Sequence, residues 1–354
     1  MPINLPRIIY LNHWTLNRKS FISSIVPLLT SLEAVSSTNE EDKNALYKNR
    51  PPYLKPGDLI GICCPSGFIK VEDVQPAASK FLQWGFSVKM GNTIGAKDFT
   101  MGGTDDQRIS DLQIMLDDPA IRAIMFARGG YGAVRIIDRI NFKRFIKSPK
   151  WLIGFSDATI FHTHLSNYKI PSLHSKMCNS FPADWSKAEA SQIESIDSIR
   201  KCLVGEHMKY STTGTSYNKA GTAEGVLIGG NLSMLQNVAG TASDIETDGK
   251  ILFIEDVDEY LYNIDRMLWN LKRSGKLDSL KGLIVGGFNN LKPDVTGEEF
   301  GHTVYEMVIE KVKEYTYPVC FDFPVGHQKY NVALKCGVPH KLVVSETNSI
   351  LEEV

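Results

Sequence analysis

Cysteine is sparse and scattered: six residues in 354, with no C-x-x-C pair. No His/Cys spacing of the zinc-holding kind occurs either, so a zinc finger or ribbon is excluded. The six (Cys63, Cys64, Cys178, Cys202, Cys320, Cys336) read as core residues. No apolar run reaches the roughly 18 residues that a membrane span needs, so no integral membrane segment is expected in the folded part. An excess of one charge is also lacking. With 39 basic against 40 acidic residues, the electrostatic case for a nucleic-acid partner or an anionic membrane surface disappears, leaving a small or peptide substrate. The fingerprint G-x-G-x-x-G is missing, and no acidic residue ends a strand at the distance a dinucleotide site requires. No internal repeat or long low-complexity tract is present.

What is there is enough chain for two domains, each with its own core. Residues 1–50 form an extension without the strand and helix alternation of the rest. Within it Asn17-Arg18-Lys19, then Phe21 to Leu29, then Ala34-Val35-Ser36 have the order of a signal peptide: basic, apolar, small. A disordered or amphipathic extension is the alternative. Export to the periplasm through residues 16–36 and a cytoplasmic location therefore both stand.

From Pro51 onward, strands and helices alternate. Leu59 to Cys64 is a buried strand; Asp73 to Trp84 has helical spacing and ends at Gly85; Phe86 to Met90 is again a strand. Asp105 to Leu116 and the doubly apolar run Ala120 to Ala127 repeat the unit, which implies a parallel sheet. Roughly forty polar residues then form an interdomain connection. Later strands are expected at Ala223–Ile228, Ile251–Ile254, Leu283–Gly287 and Pro318–Phe321, with a long amphipathic helix over Tyr260–Ser274 and a closing hairpin through Leu342–Val344.

Two loops follow strands at their carboxyl ends, where functional loops of open α/β sheets gather. Arg128-Gly129-Gly130-Tyr131-Gly132 lets backbone amides approach a ligand, as a phosphate cradle or an oxyanion donor, or is simply a tight turn. Lys150 to Thr159 runs from three apolar residues through Gly154 into a helix expected from Asp157, which leaves Ser156 on the corner. G-x-S-x-A there is close to the hydrolase elbow, with first-turn N–H groups facing whatever the hydroxyl attacks. Helix capping by Ser156 or Asp157 is the plainer reading.

A serine nucleophile needs a base and a carboxylate behind it. Of eight histidines, His327 in the loop Phe323-Pro324-Val325-Gly326-His327 is freest to face a cleft, and His174 at a strand end is a rival that can instead line the pocket. Glu255 and Asp256, ending a strand, are the candidate orienters.

The segment from Pro51 to about Gly337 resembles the LD-carboxypeptidase family of serine peptidases, which includes the microcin self-immunity peptidases. Five ordered blocks carry the resemblance: Arg128–Gly132, Gly154–Asp157, Gly229-Gly230-Asn231-Leu232-Ser233, Phe253-Ile254-Glu255-Asp256-Val257, and Pro324–His327 followed by Asn331 and Leu334. The resemblance implies an α/β chain with an N-terminal Rossmann-like parallel-sheet domain (51–178, carrying the nucleophile) and a connection (179–218). A C-terminal swivelling α/β domain (219–354) carries the Glu and His, with the active site in the interdomain cleft. It implies Ser156 as nucleophile, Glu255 as orienter, His327 as base, the Gly130 and Asp157 amides as oxyanion hole, a homodimer, and neither metal nor other cofactor. The implied reaction removes the terminal D-alanine of a murein tetrapeptide through an acyl-enzyme, as in peptidoglycan recycling. Its free carboxylate needs a cation, for which Arg128 and Lys329 are candidates, with Gly129 and His174 as further pocket residues. Two other functions fit the same chain. One is a microcin-immunity-like peptidase acting on an aspartyl-nucleotide amide, with Phe181 and Trp185 stacking on the base; the other is a non-catalytic muropeptide-binding module. Lys176 and Lys335 stand where many members have proline.

Overall fold

Strand formation starts where the Pro56-Gly57 turn delivers the chain into Leu59-Ile60-Gly61-Ile62-Cys63, in which Ile60, Ile62 and Cys63 are buried and each isoleucine gains about 1.5–3 kcal/mol. A computed structural model describes residues 49–354; the 16–36 segment with signal-peptide order lies outside the described residues. The first half comprises β1 (Leu59–Cys63), α1 (Val71–Gln83), β2 (Ser87–Met90), α2 (Asp105–Asp117), β3 (Ile121–Phe126), α3 (Ala133–Ile136), α4 (Lys143–Lys147), β4 (Trp151–Gly154), α5 (Thr159–Asn167) and β5 (Ser172–His174). The second half comprises α6 (Ala190–Leu203), β6 (Lys209–Thr213), β7 (Gly221–Asn231), α7 (Leu232–Asn237), β8 (Ile251–Val257), α8 (Leu261–Arg273), β9 (Gly282–Asn289), α9 (Val304–Val312), β10 (Val319–Cys320), β11 (Leu334–Cys336), β12 (Pro339–Val344) and β13 (Asn348–Glu353).

The first sheet has the order β11-β5-β4-β3-β1-β2, parallel except at β11. Its β2-β1-β3-β4-β5 run is a doubly wound order with the switch point between β1 and β3. The second sheet runs β10-β9-β8-β7-β12-β13-β6; its first four strands are parallel and the rest antiparallel. Mixed α/β architecture with a parallel N-terminal sheet and a second α/β domain is therefore as expected.

Two short strands fall on the other side of the boundaries drawn from sequence. Lys209–Thr213, inside the connection, pairs with β13 of the second sheet, and Leu334–Cys336, inside the C-terminal segment, pairs with β5 of the first. Runs of three to five residues carry too little periodicity to say which sheet they join.

One apolar cluster reaches through both sheets, from Ile60 and Ile153 to Phe253, Ile284 and Phe323, with a satellite cluster in each lobe. A polar bond joins the lobes as well: the Asn231 N–H donates to Thr159 Oγ1 (3.0 Å), buried, three residues beyond Ser156. All six cysteines are free and buried. Among the described residues no helix is long and apolar enough to cross a membrane.

Candidate active site

The corner after β4 forms because Trp151, Leu152 and Ile153 are buried and the chain must reverse into α5. One 3₁₀ turn, Ser156–Ala158, precedes the α-helix, which begins at Thr159 and not at Asp157. Ser156 has φ +64°, a left-handed conformation that costs a non-glycine residue about 1–3 kcal/mol. This conformation lifts the hydroxyl off the sheet, and the residue stays partly exposed amid buried neighbours. Neither Ser156 nor Asp157 caps the helix behind it. The Asp157 carboxylate instead accepts from the Ala133 N–H (2.8 Å), tying the elbow to the glycine loop, and burial raises its pKa above the usual carboxylate range.

Across the lobe boundary, His327 Nε2 lies 3.0 Å from Ser156 Oγ, and His327 Nδ1 lies 2.7 Å from Glu255 Oε2. Glu255 is fully buried, whereas the imidazole is 19% exposed. Nδ1–H therefore donates to the carboxylate, and Nε2 is left to accept from the hydroxyl. Glu255 lies inside β8 rather than beyond it, at a register shift between Ile254 and Asp256 that re-aims its side chain.

The histidine loop is held from several sides. Glu255 Oε2 also accepts the His327 N–H (3.1 Å), Asn289 Nδ2 donates to His327 O (2.8 Å), and Asn331 Oδ1 accepts the Gly326 N–H (3.0 Å). Gly326, at φ +102°, lies so close to Glu255 that an added Cβ would sit 2.5 Å from its Oε2. Asp256 is not part of this chain of bonds. It accepts from Asn231 Nδ2 (2.9 Å) and from the Ser233 hydroxyl (2.7 Å), anchoring α7, and burial pushes its pKa up to about 6.

These groups open into a cleft of about 850 Å³ lined by Gly130, Phe155, Ser156, Lys176, Asp258 and Lys329, among others. Gly130 is in the left-handed region (φ +98°), and Gly129 packs so tightly on the Ser156 corner that its Cβ would lie 3.2 Å from that of Ser156. The candidate cations part company. Arg128 is not among the lining residues, and its guanidinium donates to Phe68 O (2.8 Å). Lys329 lines the cleft but is largely exposed and paired with Glu189 (2.8 Å). His174 is fully buried between Phe155 and Phe253, behind the cleft wall, and burial drives its pKa well below the ordinary value. Phe181 packs in the core against Phe81, and Trp185 lies beneath Lys80; neither lines the cleft.

Lys176 and Arg108 escaped the sequence reading as site residues. Lys176 follows β5, the same sheet rim as Ser156, which was the available signal. Arg108, fully buried, donates to Gly132 O (2.9 Å) and pins the glycine loop from α2; its helical setting shows nothing of this.

Behind the elbow, His162 bridges Ser172 Oγ (Nδ1, 2.8 Å) and Gly154 O (Nε2, 2.8 Å). Burial lowers its pKa to about 4, as it does for His340. Both are thus neutral when folded but protonate when unfolded below their ordinary value of 6.5. Stability from these groups is complete above about pH 6.5 and is lost as pH falls toward 4, up to about 1.4 kcal/mol per unit and about 3 kcal/mol in all for each. The raised Asp256 acts in the opposite sense, between its ordinary value and about 6. Denaturant titrations at pH 7, 6 and 5 should show the loss, and His340→Gln should flatten it; an unchanged slope in that variant would refute the assignment.

Family models for the N-terminal and C-terminal domains of LD-carboxypeptidases match residues 60–175 and 224–342. The murein tetrapeptide carboxypeptidase of Pseudomonas aeruginosa is 27% identical, covering 82% of this chain and 94% of that protein. The microcin C7 self-immunity protein MccF of Escherichia coli is 26% identical, covering 76% and 84%. The crystal structure of muramoyltetrapeptide carboxypeptidase from Oxalobacter formigenes superposes with a TM-score of 0.74 at 26% identity, over 83% of this chain and 98% of that one. With both domain models matched in order over most of the described residues, the chain belongs to the LD-carboxypeptidase family.

Proposed function

We propose that this protein is a serine LD-carboxypeptidase that releases the terminal D-alanine of a murein tetrapeptide through an acyl-enzyme on Ser156. One observation carries the reading: an unbroken relay from hydroxyl to imidazole to buried carboxylate, at 3.0 and 2.7 Å, contributed by two lobes. Ser156 Oγ attacks the carbonyl carbon between the L-centre (lysine or diaminopimelate) and D-alanine, while His327 Nε2 takes the hydroxyl proton. Charge forming on the carbonyl oxygen is met by the N–H groups of Gly130 and Asp157. The C–N bond then breaks, His327 returns the proton to the departing amine, and an ester to Ser156 remains. Water, deprotonated by His327, hydrolyses that ester and regenerates the hydroxyl. Glu255 holds the ring in the Nε2-acceptor tautomer and stabilises its protonated form. The segments 51–178 and 219–354 serve as the two catalytic lobes on this reading, and a homodimer belongs to the same proposal.

Incubating the protein with tetrapeptide should yield tripeptide and free D-alanine by mass spectrometry, and a fluorophosphonate should label Ser156. Binding of tetrapeptide with neither turnover nor labelling would instead identify a muropeptide-binding module. The nucleotide-amide reading loses its stacking residues, because Phe181 is buried in the core and Trp185, half-buried beneath Lys80, does not line the cleft.

A further inference from the structure

Lys176 is the least expected group in the cleft. It follows the buried His174-Ser175 pair at the end of β5, and its stem lies along the wall beside Phe155, with Nζ 6.0 Å from that ring's centroid. Its ammonium makes one hydrogen bond, to the Gln328 carbonyl oxygen (2.6 Å), reaching from the first lobe to the residue after His327. An ammonium has three donors, so two remain. Among the described residues it has no carboxylate within ion-pair distance, unlike Lys329, which is neutralised by Glu189. Partial burial lowers its pKa below the usual range for lysine, and Glu255, behind His327, opposes that shift.

A partly buried cation without a counter-ion is held at a cost unless an anionic ligand completes it. Every carboxypeptidase substrate brings one such anion, its terminal carboxylate, close to the scissile bond. Asp258, the cleft's exposed acid, disfavours that anion on its own side. We infer that Lys176 is the specificity-determining residue that receives the substrate's terminal carboxylate. This rests on the peptidase reading above. Lysine here would make the enzyme select free chain ends, because an amidated end leaves the ammonium unmatched.

The test compares kcat/KM for a tetrapeptide ending in D-alanine with that for the same peptide ending in D-alaninamide. Wild type should prefer the free acid by about ten- to a hundredfold, the worth of one charged hydrogen bond. In Lys176→Met the preference should collapse toward about one, through a higher KM with kcat changed by less than about threefold. Lys176→Gln keeps a donor for the Gln328 carbonyl without the charge and should collapse it equally, and Lys176→Arg should retain much of it. Fluorophosphonate labelling of Ser156 within about twofold of the wild-type rate shows that the relay is intact in each variant. A wild-type preference that survives in both neutral variants overturns the inference alone, as does its collapse in Lys329→Met with retention in Lys176→Met. Wild type that neither releases D-alanine nor labels overturns the peptidase reading and the inference together.

Discussion

Ser156→Ala and His327→Ala should each lower kcat for D-alanine release by about four orders of magnitude or more, the first with little change in folding stability and the second with a measurable loss. The size follows from removing the covalent route: without the hydroxyl there is no ester, and without the imidazole the hydroxyl proton has no acceptor at 3.0 Å. The two losses should not add, because the residues act as one unit, and the double variant should be about as slow as either single one. Ser156→Ala should change stability by about 1 kcal/mol or less, since it removes one partly exposed hydrogen bond, whereas His327→Ala also takes the 2.7 Å imidazole partner from the fully buried Glu255 and should cost about 1–3 kcal/mol. Product release and urea denaturation, measured on the same preparations, check both halves. Turnover within tenfold of wild type in either variant would remove Ser156 and His327 from the chemistry.

Gly326→Ala should be the most damaging change among residues that contribute no side chain to the relay. Its new methyl would sit 2.5 Å from both Cβ and Oε2 of Glu255, a fully buried carboxylate with no room to retreat. Either the loop lifts, drawing His327 off Ser156, or Glu255 turns away and the imidazole loses its orienter. Misplacement of this kind costs a hundredfold or more in kcat. Left-handed backbone at φ +102° adds about 1–3 kcal/mol of instability. Gly240→Ala separates the two effects, because Gly240 is also left-handed (φ +77°) but has nothing within 4 Å of an added Cβ. That control should lose stability while keeping kcat within about twofold. Equal activity in the two variants would mean that the loop is not seated on Glu255 as described.

Periodicity exposed the central strands of both sheets, because a strand covered on both faces must be apolar along its whole length. β3 and β4 were visible for that reason, and α8 through its one-sided apolar stripe. The edges were harder. Lys209–Thr213 (Lys-Tyr-Ser-Thr-Thr) buries a single apolar side chain, Tyr210, and Leu334–Cys336 is only three residues long, so neither announces its sheet. Of the site, Ser156 was legible from the strand, glycine and helix around it, whereas the role of His327 came from resemblance; composition left His174 in contention. The structure separates the two histidines by burial: His174 is enclosed by aromatic rings, and His327 stands at the cleft mouth.

The sequence by itself determined the central strands of both sheets and that a serine sits on a sharp corner, since each depends on patterns within a dozen residues, and its length allowed two lobes. Resemblance already named Glu255 over Asp256; only the tertiary structure brought it to 2.7 Å from the histidine, turned Arg128 away from the cleft and turned Lys176 into it. Those outcomes depend on a register shift in one strand and on which lobe surface each side chain meets. Distances between residues 70 to 170 positions apart are set by packing, which local pattern does not encode.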